Sequence, residues 1–331
     1  MRKVGIALVG CGYIAQAEHI PALFLLDNVE LRAVVDIREE AAKKIAKQFG
    51  ARHFTDLERC LRETDVDAVD IWAEKTAHVE LGLIAANAGK HILVEKPIAT
   101  TIKDAKELVR EANKHGVTLQ VAYMRRFDAD CVAIKELLEK KALGEVRFVS
   151  GLINPYSRTE PFGPNYIRLI DSHSAETIRA TPFNIFMEVA VHHLNLLRFW
   201  LGEVKRVVMA KHSAGVIHLL LEFENETMVS HTTILEGGEY GEEMRLFGTK
   251  KSVHARLWLP HFPYEFSETS IFDRETHERK KVFIPRYNAY AAEIKDFANC
   301  ILEGRAVRSD GADAIRDLEL IEEIHRVCPD L

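Results

Sequence analysis

Cysteines, basic clusters and long apolar runs are scarce in this 331-residue chain, and each scarcity excludes a class of protein. The five cysteines are scattered, odd in number and without a CxxC pair, which argues against a disulfide framework and a structural zinc site. A net charge of −6 without any Lys/Arg block argues against nucleic-acid or anionic-membrane binding. No apolar run approaches the roughly 20 residues of a membrane-spanning helix. We therefore expect a cytoplasmic protein with neither a nucleic-acid nor a membrane partner.

The length favours two domains, and the first 122 residues alternate buried strands with helices. Apolar runs joined by helical crossovers are typical of a parallel, doubly wound α/β sheet. The predicted strands are Val4–Val9, Leu31–Val35, Ala68–Trp72, Ile92–Val94 and Thr118–Ala122. The predicted helices are Ile14–Leu26, Glu39–Phe49, Ala77–Ala88 and Thr101–His115.

The pattern changes after Tyr123, where it predicts a second domain that mixes helices with antiparallel strands. Short strands separated by turns fill the stretch from Val204 to Ile284. Residues 155–182 are rich in Pro, Ser, Thr and Asn and predict a long loop. Helices are expected at 130–141, 184–201, 289–302 and 312–327. The predicted domains are residues 1–122 and residues 123–331.

A glycine-rich turn follows the first predicted strand. Gly10-Cys11-Gly12-Tyr13-Ile14-Ala15 has the GxGxxA spacing, which permits a tight turn and a close approach of backbone to a pyrophosphate at the helix N-terminus. Asp36 ends the second strand, where a carboxylate can bond the adenosine ribose hydroxyls. This arrangement predicts a Rossmann domain and favours NAD, although Arg38 could reach a 2′-phosphate and so keeps NADP open. The predicted cofactor contacts are Gly10, Gly12, Tyr13, Ile14, Asp36 and Arg38.

An acid and a base stand at the carboxyl end of the fourth predicted strand, the edge where open α/β sheets bind ligands. Glu95-Lys96-Pro97 directly follows the apolar run His91–Val94. A lysine in that place can exchange a proton with a substrate hydroxyl if a cofactor lies nearby. We therefore expect Lys96 to lie close to the reacting atoms.

The predicted helix 184–201 carries three polar residues on one side. At about 100° per residue, Glu188, His192 and Asn195 fall within an arc of about 60° at the edge of an apolar face. His192 is either a general base oriented by Glu188 or a satisfied core histidine beside a surface glutamate. His193 points into the apolar arc and is expected to be structural. Glu188, His192 and His193 offer two metal ligands on one face but no third, so we expect no metal.

Two arginines follow the last predicted strand of the first domain. Arg125 and Arg126 lie within the segment Tyr123–Asp128. Arginines at a domain junction contact a phosphate, a polyol or an acid, or they form an ion-pair hinge between the domains. The sequence leaves both interpretations open.

Taken together, the glycine turn, Asp36 and the string Gly89–Pro97 strongly resemble the Gfo/Idh/MocA oxidoreductases. The segment Tyr123–Asp128 is similar to the MRRFD segment of inositol dehydrogenases in that family, and Glu188-x-x-x-His192 stands where the family has Asp-x-Gly-x-His. The resemblance covers nearly the whole chain. It implies a Rossmann domain followed by an α+β domain built on a large, open-faced, mostly antiparallel sheet.

The resemblance also implies a chemistry, hydride transfer between NAD(P) and a secondary hydroxyl of a sugar, sugar acid or cyclitol. Lys96 would hold and polarise the hydroxyl, His192 would exchange its proton, and Glu188 would replace the usual aspartate. Glu95 and Lys96 would lie near the nicotinamide. Family members commonly form homodimers or homotetramers through the open sheet, which we expect here. The candidate substrate contacts are Arg125, Asn154 and Asn195.

Two other functions stay open. A redox-neutral, NAD-dependent glycosidase would recycle a tightly bound cofactor, and a non-catalytic sensor would bind NAD and a partner. The presence of both Lys96 and His192 argues against a sensor, because a sensor need not keep a proton relay.

The chain departs from the family pattern at two places. Ala73-Glu74-Lys75 replaces Thr-Pro-x, which would alter the cofactor loop. Ala190 replaces glycine beside Glu188, which is longer than the usual aspartate, and both changes would alter the pocket around His192.

Overall fold

A computed structural model describes residues 2–12, 14–154, 182–235, 240–258 and 267–331. These residues form two compact units. The first contains residues 2–124 together with Tyr290–Leu318, and the second contains residues 125–154, 182–289 and 319–331. The segment Tyr290–Leu318 therefore packs with the first unit, whereas a linear division at residue 122 assigns it to the second domain.

A six-stranded parallel sheet is the centre of the first unit. Its strands are β1 (Val4–Val9), β2 (Val29–Val35), β3 (Arg52–Phe54), β4 (Ala68–Ile71), β5 (His91–Glu95) and β6 (Leu119–Ala122). Their order is β3-β2-β1-β4-β5-β6, so strand addition changes direction between β1 and β4, as in Rossmann folds. Every residue of β1 and β4 is buried, as expected for a parallel sheet covered on both faces. The predicted doubly wound sheet is confirmed.

Helices connect these strands: α1 (Ile20–Leu23), α2 (Glu39–Phe49), α3 (Leu57–Glu63), α4 (His78–Asn87) and α5 (Ile102–Lys114). The predicted helix Ile14–Leu26 is instead a π-helical turn, Ala15–His19, that runs into the single turn of α1. Pro21 stands in that turn and has no N–H to donate, which interrupts the helical ladder. The pattern also missed β3 and α3, which are too short to show a clear period.

An eight-stranded sheet is the centre of the second unit. Its strands are β7 (Val146–Asn154), β8 (Val204–Ser213), β9 (Val216–Phe223), β10 (Met228–Ile234), β11 (Gly241–Gly248), β12 (Lys251–Leu257), β13 (Glu268–Asp273) and β14 (Arg279–Val282). The order is β14-β13-β12-β11-β7-β10-β9-β8. β7 and β10 pair in parallel and the other described pairings are antiparallel, which confirms the expected mostly antiparallel sheet.

The remaining helices are α6 (Ala129–Glu139), α7 (Pro182–Leu201), α8 (Ala289–Glu303) and α9 (Gly311–Val327). In the second unit, α7 packs on α6 and its Trp200 donates its indole N–H to the Cys131 carbonyl at 3.0 Å. Gly202, which has a φ of +92°, directly follows the last residue of α7. The predicted loop at 155–182 lies almost wholly outside the described residues. Among those that are described, no helix has the length and apolar character needed to cross a membrane.

Candidate functional site

The turn after β1 has the form that a dinucleotide requires. Gly10 has a φ of +96°, and a Cβ there would lie 2.6 Å from the carbonyl carbon and oxygen of Trp72. Gly12 instead faces open space, because no atom lies within 4 Å of where its Cβ would be. Its bare Cα therefore leaves room for the close approach of a phosphate. The turn fits a dinucleotide; Ile14 next to it is exposed, and Tyr13 lies outside the described residues.

Asp36 closes the far side of this turn. One carboxylate oxygen accepts the Cys11 backbone N–H at 2.7 Å, and the other accepts the Arg38 backbone N–H at 2.9 Å and its Nε–H at 3.1 Å. Burial and the neighbouring Asp36 raise the pKa of the Cys11 thiol to about 12, so this thiol is not a nucleophile. Asp36 and Arg38 thus form an ion pair where an adenosine ribose would bind in a Rossmann domain.

Lys96 lies at the same edge of the sheet as the glycine turn. It follows β5, which pairs with β4, and β4 pairs with β1 on its other side. All three strands are parallel, so their carboxyl ends share one edge, and the change of strand direction between β1 and β4 opens a crevice there. Glu95 and Lys96 are half-buried, and the Lys96–Pro97 bond is cis.

Several ionisable residues are buried within the first unit. Asp70 of β4 accepts the Trp72 indole N–H at 2.7 Å, and its carboxylate lies 2.9 Å from Nδ1 of His19. The side chains of Asp70 and His19 are both fully buried. Burial lowers the pKa of His19, despite the opposing effect of Asp70. Burial, followed by the Glu95 and Asp70 carboxylates, raises the pKa of Glu293 on α8 well above its usual value. Burial and these like charges therefore favour the protonated form of Glu293.

On α7, the three polar residues of the predicted arc differ in accessibility. Glu188 and His192 are half-buried, whereas Asn195 is buried. Asn195 accepts the Nε–H of Arg126 at 2.7 Å, and that guanidinium also lies over the ring of Phe199. Glu188 and His192 therefore remain accessible on the helix surface, while the Asn195 oxygen already holds an arginine. Their predicted roles stay predictions.

Arg125 lies in a buried polar cluster of the second unit. Its Nη2 lies 2.6 Å from Glu242 on β11, and its Nη1 donates to the Trp258 carbonyl at 2.9 Å and to Asp128 at 3.2 Å. Tyr240 donates its hydroxyl to Glu242. These partners, all in one unit, engage both Nη groups of the guanidinium, and the side chain is only 1% exposed. A direct substrate contact by Arg125 stays a prediction.

The same cluster continues through two buried histidines. His193 places Nε2 3.3 Å from Glu242 and Nδ1 3.0 Å from Nε2 of His231. Burial alone would raise the pKa of Glu242, but the Arg125 guanidinium holds it far below its usual value. Because Glu242 is a carboxylate and can only accept, His193 donates to it through Nε2. Burial, and the neighbouring His193, hold the pKa of His231 well below its usual value.

Some functional candidates follow from the structure and not from the sequence. His193 was expected in an apolar environment, yet it bonds to polar groups of the sheet. The signal for its partners was weak: His231 and Glu242 occupy inward-facing positions of strands in which buried and accessible residues alternate.

Asn154, a predicted substrate contact, is the last residue of β7 and is half-buried. No group of three or more His, Cys, Asp or Glu side chains that could hold a metal ion occurs among the described residues.

Comparisons with known proteins agree with this architecture. Residues 4–123 match the family described as an oxidoreductase family with an NAD-binding Rossmann fold, and residues 135–328 match its C-terminal alpha/beta domain. An uncharacterized oxidoreductase, YrbE, of Bacillus subtilis is 26% identical over 95% of this chain and 91% of that protein. A myo-inositol 2-dehydrogenase of Thermotoga maritima is 24% identical over 93% of this chain and 91% of that protein.

A solved structure shares the fold over nearly the whole length. It is the crystal structure of an aldose-aldose oxidoreductase from Caulobacter crescentus, complexed with glycerol. The TM-score is 0.83 at 23% identity, and the match covers 99% of this chain and 98% of that one. At that identity the likeness establishes the fold alone.

Proposed function

Since this chain belongs to the Gfo/Idh/MocA family of oxidoreductases, we propose that it transfers a hydride between NAD(P) and a secondary hydroxyl of a sugar, sugar acid or cyclitol. The observation that carries the proposal is the common edge of the sheet at which the glycine turn ends β1 and Lys96 follows β5. A cofactor held by the turn would cross the crevice towards Lys96. The myo-inositol 2-dehydrogenase of Thermotoga maritima supports the class of substrate.

We assign the proton chemistry to Lys96 and His192. NAD(P), when bound, supplies the nicotinamide ring that accepts or gives the hydride. The Lys96 ammonium would donate a hydrogen bond to the reacting hydroxyl oxygen and polarise it. His192 would take the hydroxyl proton in oxidation and return it in reduction, with Glu188 one turn earlier orienting its ring. Glu188 and His192 are both accessible on α7, and a role in catalysis requires this accessibility.

For the cofactor we propose NAD as the preferred form. Asp36 directly follows β2 and its carboxylate is anchored by the Cys11 backbone N–H, so it cannot turn away easily from a ribose. A 2′-phosphate would meet that negative charge. Arg38 is held by Asp36 and would have to leave it in order to bind NADP.

A polyol panel with NAD and NADP in parallel tests the proposal. We expect net NADH formation, followed by absorbance, with at least one of myo-inositol, D-glucose and a set of sugar acids. Lys96→Met should reduce turnover by a factor of roughly 100 or more while NADH binding, followed by fluorescence, is retained. Lys103→Met, an exposed lysine on α5, is the matched control and should change neither quantity.

Three results would contradict the proposal. A protein that binds NADH but oxidises nothing in the panel would be a sensor. A protein that cleaves nitrophenyl glycosides without net NADH formation would be a redox-neutral glycosidase. Normal turnover in Lys96→Met would remove Lys96 from the chemistry.

We also propose that the protein forms a homo-oligomer through the accessible face of the eight-stranded sheet. On β11 the buried residues alternate with accessible ones, and Phe247 ends the accessible row with 42% exposure. Its ring centroid lies 6.0 Å from that of Phe148 on the paired strand β7. Two neighbouring aromatic rings on a sheet face are a feature of surfaces that become covered.

A further inference from the structure

His78 links the two chain segments that leave adjacent strands at the edge of the first sheet. It opens α4 and is 1% exposed. Its Nδ1 lies 2.8 Å from the carbonyl oxygen of Pro97, the residue after Lys96. Its Nε2 lies 3.1 Å from the carbonyl oxygen of Ala73, in the segment after β4.

The contacts of Ala73 extend this link to the glycine turn. A Cβ on Gly10 would lie 2.6 Å from the Trp72 carbonyl carbon and 2.7 Å from the Ala73 nitrogen, so the turn and this segment are in tight contact. A continuous series of contacts therefore runs from Gly10 through Ala73 and His78 to Pro97. Because Pro97 directly follows Lys96, fixing the Pro97 carbonyl restricts the backbone that carries the Lys96 side chain.

The chemistry of the two acceptors determines which nitrogen carries the proton. Both neighbours are carbonyl oxygens, which only accept, and a neutral imidazole has a single N–H. Burial lowers the pKa of His78, although the two carbonyls and Glu74 oppose that effect, so the ring is neutral near pH 7. The shorter distance, 2.8 Å, assigns the N–H to Nδ1 and its hydrogen bond to Pro97.

We propose that His78 is a positioning residue for Lys96: it donates from Nδ1 to the Pro97 carbonyl and so holds the Lys96–Pro97 segment against the segment that contacts the glycine turn. The inference rests on the proposed role of Lys96 in proton transfer. His78 is buried and acts through Lys96. His78 would keep the Lys96 amine at the correct position relative to the substrate hydroxyl. A displacement of that amine by about 1 Å can lower the rate about 100-fold.

Two isosteric substitutions separate the two contacts of the ring. The amide nitrogen of asparagine can occupy the place of Nδ1, and that of glutamine the place of Nε2. We expect His78→Leu to lower kcat by roughly 10- to 100-fold with NADH affinity nearly unchanged. His78→Asn should recover most of the rate and His78→Gln little of it. His53→Leu, an exposed histidine on β3, is the matched control and should behave like the wild type.

The rate assays use NAD with whichever of myo-inositol and D-glucose the wild type oxidises. An unchanged kcat in His78→Leu, or a better recovery in His78→Gln than in His78→Asn, would overturn the proposal. If His78→Leu does not fold, the comparison of the two amide variants decides.

Nitrogen-15 NMR of the histidine rings gives a readout that does not depend on turnover. The His78 signals are assigned by their loss in His78→Asn. We expect the proton on Nδ1 and an unprotonated Nε2 near pH 7. A proton on Nε2 would overturn the inference even in an active enzyme. If the wild type oxidises neither myo-inositol nor D-glucose, the proposed function fails independently of the inference on His78. The NMR spectrum then still decides whether His78 donates to the Pro97 carbonyl.

Discussion

Arg125 and Glu242 form an ion pair of 2.6 Å in the buried part of the second unit, with both side chains at most 4% exposed. Around it, Asp128 and the Trp258 carbonyl engage the guanidinium, and Tyr240 engages the carboxylate. Removing one partner of such a pair leaves a buried charge without compensation, which is far more costly than removing both.

Arg125→Met should therefore lower the free energy of unfolding by about 3–5 kcal/mol. The double variant Arg125→Met/Glu242→Gln should lose less than the sum of the two single variants, by about 1 kcal/mol or more. Urea unfolding followed by circular dichroism measures the cycle. Arg147→Met is the control, because Arg147 pairs with Glu145 on the surface and should lose less than about 1 kcal/mol. Additive losses in the cycle would show that the pair is not coupled.

Asp36→Ala should shift the cofactor preference towards NADP. The substitution removes the negative charge that faces a 2′-phosphate and frees Arg38, which now pairs with Asp36 at 3.1 Å. One charge-assisted hydrogen bond corresponds to about 1.5–3 kcal/mol, so the ratio of the two dissociation constants should change by roughly 10- to 100-fold. Titrations of NADH and NADPH fluorescence measure it. In Asp36→Ala/Arg38→Ala the shift should be smaller, because only the loss of the Asp36 charge remains; an undiminished shift would show that Arg38 does not contribute.

Glu293→Gln should stabilise the protein at neutral and alkaline pH. The raised pKa of Glu293 means that the folded protein keeps a proton that the unfolded chain releases above about pH 4.5. Stability associated with this group is thus complete below about pH 4.5 and decreases as the pH rises, by about 1.4 kcal/mol for each unit of pKa elevation. Glutamine removes this loss, so its melting temperature should exceed that of the wild type near pH 8 and match it near pH 4.5.

Glu303→Gln provides the comparison for that experiment, because Glu303 is exposed near the end of the same helix. It should leave the melting temperature unchanged across the pH range. Equal melting temperatures of Glu293→Gln and wild type near pH 8 would mean that the pKa of Glu293 is not raised in the folded protein.

The buried histidines should make the protein less stable in acid. Burial lowers the pKa values of His19, His78, His91 and His231 below the usual 6.5. For a lowered pKa the unfolded chain binds the proton first, so this stability is present above about pH 6.5 and lost as the pH falls below it. Urea midpoints at about pH 7.5 and about pH 5 should differ, and the difference should be smaller in His231→Gln. If the difference between the two urea midpoints is the same in His231→Gln as in the wild type, His231 does not contribute to the acid sensitivity. His53 is exposed, so His53→Gln should show the same difference as the wild type.

Phe247→Glu should dissociate the proposed oligomer. A carboxylate in place of an exposed ring on β11 would be buried without a partner on association, which costs several kcal/mol. Sedimentation velocity should show a smaller species for Phe247→Glu than for the wild type at the same concentration. Lys281→Glu, on the edge strand β14, tests whether added negative charge alone has this effect. A monomeric wild type would refute the proposed interface.

The sequence predicted most of the first unit because its chemistry is local. The glycine turn, Asp36 and Glu95–Pro97 each follow a buried strand directly, so their position follows from strand order and parallel direction. The two arginines of Tyr123–Asp128 were visible, but their partners were not. Glu242 lies more than a hundred residues from Arg125, and no periodic pattern connects residues so distant. The partner of Asn195 was hidden for the same reason, since Arg126 reaches it only through the packed fold.

Gly151 lies in β7, in the centre of the second sheet, where a Cβ would lie 2.9 Å from the His231 ring and 3.0 Å from the Met244 sulfur. The volume that a side chain would occupy there is thus taken by a neighbour's imidazole. A larger residue at 151 displaces the ring, and a residue much smaller than histidine at 231 leaves a cavity beneath the strand. A redesign that alters the side-chain volume at either position therefore has to compensate at the other, for example as Gly151→Ala with His231→Ser.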